Sequence, residues 1–107
     1  MTQPPNPPLH VIIGTYTGTP EEVSQATPQH REWLDQHYRS GLFLASGRQS
    51  PPVGGVLLAR GESAAHLEEV MRDDPFTKLG LATYQIIAFT PVKRHASFPY
   101  LQIPATE

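Results

Sequence analysis

The chain has 107 residues, a formal net charge of -2 and no cysteine, which is enough for one domain with a modest core. A pI near 6.2 without a basic stripe argues against nucleic-acid binding, and the lack of cysteine excludes disulfides and thiolate chemistry. No signal-peptide pattern is present and no apolar run approaches the ~18 residues of a membrane span, so we expect a cytoplasmic protein without a membrane partner.

The chain begins with a proline-rich stretch. Residues 1–8 hold four prolines and are expected to form a disordered tail. Residues 9–16, LHVIIGTY, are rich in β-branched and aromatic side chains, which is typical of a strand. The segment TPEE, residues 19–22, has the form of a capping box with proline at the first helical position. It predicts a short helical turn that ends near Ala26.

The main helix is predicted from Thr27 to Gly41. Thr27 is a suitable N-cap, Pro28 suits the first helical position, and Gly41 can adopt the left-handed conformation that ends a helix. One face carries apolar or amphipathic side chains at helical spacing, namely His30, Trp33, Leu34, His37 and Tyr38. This start would place His30 in the first turn, beside unpaired backbone N–H groups whose partial positive charge favours a neutral ring.

The second half of the chain alternates strands with short helices. Residues 42–48 and 54–61 read as two strands joined by a Pro/Gly loop, which indicates a hairpin. Ser63 is the expected cap of a second helix, which stops at the proline of DDPF, residues 73–76. That motif also opens one further helical turn, and a last strand is expected from about residue 83 to residue 90.

This order of elements predicts a ferredoxin-like α+β fold, βαββαβ, with both helices on one side of a four-stranded antiparallel sheet. The strands are apolar on both faces, as in Val11 and Ile13 against Ile12. A sheet with one wet face would show polar alternation, so the uncovered face is expected to pack on the same sheet of a second copy. The domain is assigned to residues 9–94, and residues 95–107 to an extension that packs on the domain or on its dimer partner.

Three motifs give the chain a resemblance to the YciI-like (YCII-related) family of the dimeric α+β barrel superfamily. They are H-x-x-W-L at His30 to Leu34, G-L-F-L-A-S-G at Gly41 to Gly47, and D-D-P-F at Asp73 to Phe76. Their order and spacing, followed by Gly80-Leu81 and a strand that ends near Pro91, extend the resemblance over about residues 9 to 94. The resemblance implies a ferredoxin-like protomer, two sheets paired into a barrel, and a pocket with a histidine and an aspartate in acid–base roles.

Carried onto this sequence, the histidine and the aspartate are His30 and Asp74. Two positions depart from the family pattern. Thr27 stands where the family often has an arginine, and Arg48 stands where it often has a proline, so a standard anion contact is missing unless Arg48 replaces it. Most family members have no established reaction, a few resemble lyases or dehydrochlorinases acting on chlorinated hydroxyquinones, and the wider superfamily includes muconolactone isomerases.

In the acid–base hypothesis, the carboxylate of Asp74 accepts a hydrogen bond from one ring nitrogen of His30 and leaves the other nitrogen free to move a substrate proton. The residues also allow simpler roles. His30 would then be a half-buried histidine bonded to backbone, and Asp74 the N-cap ahead of Pro75. Capping and catalysis do not exclude each other.

Substrate-binding candidates are Ser46, Arg48 and Tyr16. Ser46 and Arg48 are expected to alternate with Leu42 and Leu44 on one strand face and to reach the cavity as a hydrogen-bond donor and an anion clamp. Arg48 would otherwise emerge into solvent. Tyr16 and Tyr84 lie at strand ends, where each could offer its phenol to a ligand or be a packing residue with a solvated hydroxyl.

No metal or cofactor is expected. The five histidines show no clustered ligand motif, and the sequence has no P-loop, dinucleotide fingerprint or G-x-S-x-G elbow. The first hypothesis is a homodimeric lyase or isomerase that performs cofactor-independent proton transfer on a small cyclic or aromatic anion. The alternative is a non-catalytic dimer that binds a small ligand or acts as an accessory protein while retaining the pocket.

Overall fold

A computed structural model describes residues 8–61 and 63–98. The elements follow the predicted order: β1 Leu9–Tyr16, α1 Pro20–Arg39, β2 Phe43–Arg48, β3 Gly55–Arg60, α2 Ala64–Arg72, α3 Pro75–Lys78 and β4 Ala82–Phe89. The ferredoxin-like α+β prediction is therefore confirmed. The predicted tail lies almost entirely outside the described residues, and so does residue 99 onward of the C-terminal extension.

The four strands form one antiparallel sheet in the order β2-β3-β1-β4. The central strand β1 pairs with β3, where Ile12 is opposite Leu57, and with β4, where Ile12 is opposite Ile86. The hairpin predicted between the second and third strands is present as the β2–β3 pair. The large side chains on this face of the sheet pack against α1 and α2, which places both helices on one side.

Helix α1 differs from the prediction because it is a single helix that runs through Pro28. Its N-cap is Thr19, whose side chain forms the expected capping box with Glu22. Thr27 caps nothing, and its hydroxyl instead donates to the carbonyl of Val23 at 2.7 Å. Val23, Ala26 and Trp33 are buried along one continuous face, so core packing outweighs the backbone hydrogen bond that a proline inside the helix removes.

The longer helix changes the setting of His30. The residue lies in the middle of α1, far from the N-terminal turn in which the sequence had placed it. The unpaired N–H groups of a helix start therefore do not act on its ring. Gly41 has the predicted left-handed conformation, with φ of 82°, and follows the C-cap Ser40.

The interior consists of two clusters of buried side chains. The larger cluster fills the space between the sheet, α1 and α2, and contains Ile12, Trp33, Phe43, Leu57, Ala59, Leu67 and Met71. The smaller one lies between the first half of α1 and α3, and contains Val23, Ala26, Phe76, Leu81 and Ala82. Tyr84 packs against both clusters, so its ring lies at their junction.

Strand β2 contains a bulge between Phe43 and Ala45 that corrects one predicted face. Phe43 is opposite Ala59, but after the bulge Ser46 is opposite Leu57, and both of these β3 residues face the helices. Because the extra residue shifts the alternation by one, Ser46 and Arg48 share the face of Phe43 rather than the face predicted from Leu42 and Leu44.

The face of the sheet that is turned away from the helices is apolar and open. Its exposed side chains include Val56, Ile87 and Phe89, with Ile87 43% exposed. Val11 pairs with Ile87 and with Leu58 on this face. Among the described residues, no helix is long and apolar enough to cross a membrane.

Candidate active site

A cavity of about 300 Å³ lies between α1 and one end of the sheet. It exists because small residues occupy the helix side of the strands there: Gly14 on β1, Gly55 on β3 and Ala82 on β4 all line it. Further along the same face of the sheet, the larger side chains of Ile12, Leu57 and Ile86 lie opposite one another and pack in the core. The cavity is at the lower end of the size range of ligand pockets, which suits a single substituted ring.

The side chain of His30 enters this cavity from α1. Its Nδ1 lies 2.7 Å from Oδ1 of Asp74, and the imidazole is 17% exposed. The ring stacks on Phe76 with centroids 4.0 Å apart and planes 11° from parallel. Two contacts thus fix the ring in position and in plane. Nε2 has no hydrogen-bond partner among the described residues, so it is the nitrogen available to a ligand.

Asp74 is fully buried and accepts three hydrogen bonds. Oδ1 accepts from the backbone N–H of Phe76 at 3.0 Å as well as facing His30, and Oδ2 accepts from the hydroxyl of Tyr84. The carboxylate therefore caps α3 and orients His30 at the same time. These hydrogen bonds offset the desolvation cost of burying the Asp74 carboxylate.

Tyr84 reaches Asp74 from β4 and also lines the cavity. Burial of its ring raises the pKa of the Tyr84 hydroxyl, and the negative charge of Asp74 raises it further. Tyr84 is thus a fixed proton donor to the carboxylate. Its hydroxyl holds Oδ2 in place while Oδ1 faces His30.

Two arginines line the opening of the cavity, Arg31 from α1 and Arg48 from the end of β2. Neither forms an ion pair within residues 8–61 and 63–98. Ser46 lies on the same strand, and its Oγ accepts a hydrogen bond of 2.5 Å from the hydroxyl of Tyr38. Because one lone pair of Ser46 is occupied in this way, its own hydroxyl proton is free to be donated to a ligand.

All five residues selected from the sequence lie at this site. The cavity is lined by His30, Ser46, Arg48 and Tyr16. Asp74 does not line it but contacts His30 Nδ1. The roles proposed for them from the sequence remain predictions.

Sequence reasoning missed two contributors. For Tyr84 the sequence suggests a phenol for a ligand or a packing role, but not a partner of Asp74, although Tyr84 is opposite Gly14 in the register. Arg31 is not among the candidates selected from the sequence; it is exposed, and it also lines the cavity opening. One signal for Arg31 was its position next to His30, but a neighbour in a helix points about 100° away, so this signal was weak.

Within the described ranges, no group of three or more His, Asp or Glu side chains is arranged to hold a metal ion. His10, His37 and His66 lie away from the cavity lining.

These observations place the chain among ferredoxin-like α+β proteins that have a cavity between the sheet and the first helix. A sequence model of the YCII-related domain matches residues 9–90, and the chain therefore belongs to the YCII-related family. No curated protein matches the sequence at a significant level.

Solved structures give the same fold. The chain is similar to the 5-chloro-2-hydroxyhydroquinone dehydrochlorinase of Burkholderia phenoliruptrix AC1100, in complex with 2,5-dihydroxybenzoquinone, with a TM-score of 0.67 and 18% identity over 83% of this chain and 96% of that one. It is also similar to an antibiotic biosynthesis monooxygenase, with a TM-score of 0.52 and 21% identity over 78% and 98% of the two chains. At these identities the likeness establishes the fold.

Proposed function

We propose that this protein is a homodimeric enzyme that transfers a proton on a small cyclic or aromatic anion, in a lyase or isomerase type of reaction that needs no cofactor. The observation that carries the proposal is the contact of 2.7 Å between His30 Nδ1 and the buried carboxylate of Asp74, beside an open cavity. A general base must be oriented and must face the substrate, and this arrangement supplies both conditions.

In the proposed mechanism, Nδ1–H of His30 donates to Asp74, and this fixes the tautomer that bears a lone pair on Nε2. Nε2 removes a proton from a ring carbon or hydroxyl of the substrate, and the electron pair of the broken bond moves into the ring and its oxygen substituents. The imidazolium formed is stabilised by Asp74. It then returns the proton to the leaving group or to another ring atom, so the enzyme ends in its initial state.

The proposed substrate class follows from the walls and the charge of the cavity. Tyr16, Phe76 and Tyr84 provide flat apolar surfaces that suit a planar ring. Ser46 and Arg48 supply a hydrogen-bond donor and a positive charge for an oxygen anion. We place 2,5-dihydroxybenzoquinone, the molecule bound by the structurally similar dehydrochlorinase, in this class as a first probe.

The test uses proton exchange, because exchange reports the proposed proton transfer even when no net reaction follows. The two ring hydrogens of 2,5-dihydroxybenzoquinone are followed by proton NMR in deuterium oxide. Wild type should accelerate their replacement by deuterium, and His30→Ala should lower the catalysed rate by about 10²–10⁴-fold. His66→Ala is the matched control, since His66 is exposed on α2 and lies outside the cavity.

Equal exchange by wild type and His30→Ala would remove His30 from the mechanism. Binding of the quinone without any acceleration by wild type would favour the alternative of a non-catalytic ligand-binding dimer.

The homodimer in this proposal is supported by the open face of the sheet. Val56, Ile87 and Phe89 expose 36%, 43% and 42% of their surfaces on one side of the domain. A contiguous apolar face of this kind commonly marks an interaction surface, and a second copy of the same sheet is its simplest complement. The C-terminal extension, residues 95–107, is proposed to pack on this domain or its partner.

A further inference from the structure

A second cavity, of about 820 Å³, adjoins the first on the outer side of Tyr16. Four residues line both cavities, namely Tyr16, Thr27, Arg31 and Arg48. The two cavities therefore meet at a boundary formed by β1, α1 and the end of β2.

The boundary between the cavities carries the positive charge. Arg31 and Arg48 contribute two guanidinium groups there, and neither is paired with a carboxylate among the described residues. Two like charges that line the same opening repel one another, and an anionic group between them would relieve that repulsion. The boundary is therefore the place where an acidic group of a ligand is most stable.

The outer cavity has a different chemistry from the inner one. The residues found only there are mainly apolar or small: Thr15, Gly18, Pro20, Val23, Ser24, Pro28, Pro52 and Val53. Val53 is 51% exposed in the loop between β2 and β3, so its side chain is accessible to a ligand in this cavity. An apolar chain bound along these prolines and valines would bury apolar surface of the ligand and of the protein.

From this arrangement we infer that the ligand has two parts. An oxygenated ring occupies the inner cavity beside His30, an acidic oxygen of the ring binds between Arg31 and Arg48, and an apolar substituent extends into the outer cavity. This inference rests on the proposed function and specifies its substrate class. The inner cavity of about 300 Å³ has room for the reacting ring, so a larger substituent would extend across the shared boundary into the outer cavity.

The experiment compares two probes that share one ring, 2,5-dihydroxybenzoquinone and its 3-hexyl derivative, by calorimetric titration. Each methylene buried in the outer cavity should tighten binding by about fourfold, so the hexyl probe should bind wild type at least about tenfold more tightly than the parent. Ser24→Trp fills the outer cavity from an exposed position that does not line the inner one. It should abolish the advantage of the hexyl probe and leave the dissociation constant of the parent within about twofold.

Gln25→Trp is the matched control, because Gln25 is the next residue on α1, is exposed, and lines neither cavity. It should preserve the advantage of the hexyl probe. Val53→Glu provides a second variant of the outer cavity, introduced in a loop where a change does not threaten the helix, and it should also remove the advantage. Urea midpoints of the three variants show that each is folded.

Two outcomes separate this inference from the proposed function. If the parent quinone binds but the hexyl probe binds no tighter, or if Ser24→Trp and Gln25→Trp act alike, the two-part ligand is wrong and the acid–base site stands. If neither probe binds wild type at millimolar concentration, the proposed substrate class fails, and the two-part ligand fails with it.

Discussion

Gly14 on β1 and Tyr84 on β4 are opposite each other in the sheet, and a Cβ atom at position 14 would lie 2.8 Å from Cε1 of the tyrosine ring. The missing side chain of Gly14 thus makes room for the ring. The ring in turn carries the hydroxyl that donates to Asp74. The lack of a side chain at Gly14 therefore permits the hydrogen bond from Tyr84 to Asp74, the partner of His30.

Gly14→Ala should displace the ring of Tyr84 and weaken its contact with Asp74. Overpacking at this position is expected to lower the free energy of unfolding by about 1–3 kcal/mol in urea titrations. Gly47→Ala is the control for stability, since a Cβ at position 47 has no atom within 4 Å, and its effect should stay within about 0.5 kcal/mol.

The functional part of this prediction is tested by a double-mutant cycle with quinone exchange as the readout. If Gly14→Ala slows exchange through the Tyr84 hydroxyl, it should add little in a Tyr84→Phe background. Additive losses in the double variant would show that Gly14 acts by another route.

A second prediction separates the two roles of Asp74. Asparagine and serine are both good N-caps, so Asp74→Asn and Asp74→Ser should retain the cap of α3. Neither supplies a carboxylate to His30, and we expect exchange to fall by about 10²-fold or more in both variants. Loss of the charged acceptor should also lower the free energy of unfolding by about 1.5–3 kcal/mol. The measurement is the exchange rate together with urea unfolding. Wild-type exchange in both variants would mean that Asp74 serves only as a cap.

The fold follows from the sequence more directly than the contacts that hold the candidate site together. The order of the elements follows from hydrophobic periodicity and from caps such as Thr19 and Ser63, whose signals are local. The bulge after Phe43 and the continuity of α1 through Pro28 depend on packing against other elements. Local sequence signals cannot compare the packing of Val23, Ala26 and Trp33 along a 20-residue helix with the loss of one backbone hydrogen bond at Pro28.

The contact between His30 and Asp74 shows the same limit. The two residues are 44 positions apart, and their pairing was inferred from a family resemblance rather than from spacing. Tyr84 was not included because the closeness of its hydroxyl to Asp74 depends on the position of α3 beneath β4. Only the three-dimensional structure contains that information.

A third prediction concerns the open sheet face. Ile87→Glu places a charge on this face, opposite Val11 of the central strand β1, and should convert the proposed dimer to a monomer in sedimentation velocity. Leu79→Glu is the control, because Leu79 is 58% exposed at the end of α3 and lies outside the sheet. It should leave the sedimentation coefficient unchanged. A wild-type monomer, or a dimer that persists in Ile87→Glu, would contradict dimerisation through this face.

The last prediction is a loss of stability in acid that arises at His10. This side chain is fully buried on β1, and neither ring nitrogen has a hydrogen-bond partner. Burial lowers the pKa of His10, and the nearby positive charge of protonated His66 lowers it further. The unfolded chain, with an ordinary value of about 6.5, therefore binds a proton more readily than the folded one.

Because the folded pKa is the lower one, His10 has no effect on the pH dependence at alkaline pH and destabilises the fold as pH falls below about 6.5. The slope due to this group approaches about 1.4 kcal/mol per pH unit between the two pKa values. Burial also lowers the pKa of His37, although Asp73 opposes that shift, so wild type should lose stability through both groups. His10→Leu should remove only the part of this acid-dependent loss of stability that is due to His10.

The contribution of His10 is measured by urea unfolding of wild type, His10→Leu and His95→Gln from about pH 8 to about pH 5, which gives the free energy of unfolding at each pH. His95 is exposed, so His95→Gln should keep the wild-type slope. His10→Leu should have a shallower slope, and at neutral pH it should be more stable by about 1–3 kcal/mol because it buries no unpaired polar atom. Parallel curves for wild type and His10→Leu would show that the proton taken up on unfolding binds elsewhere.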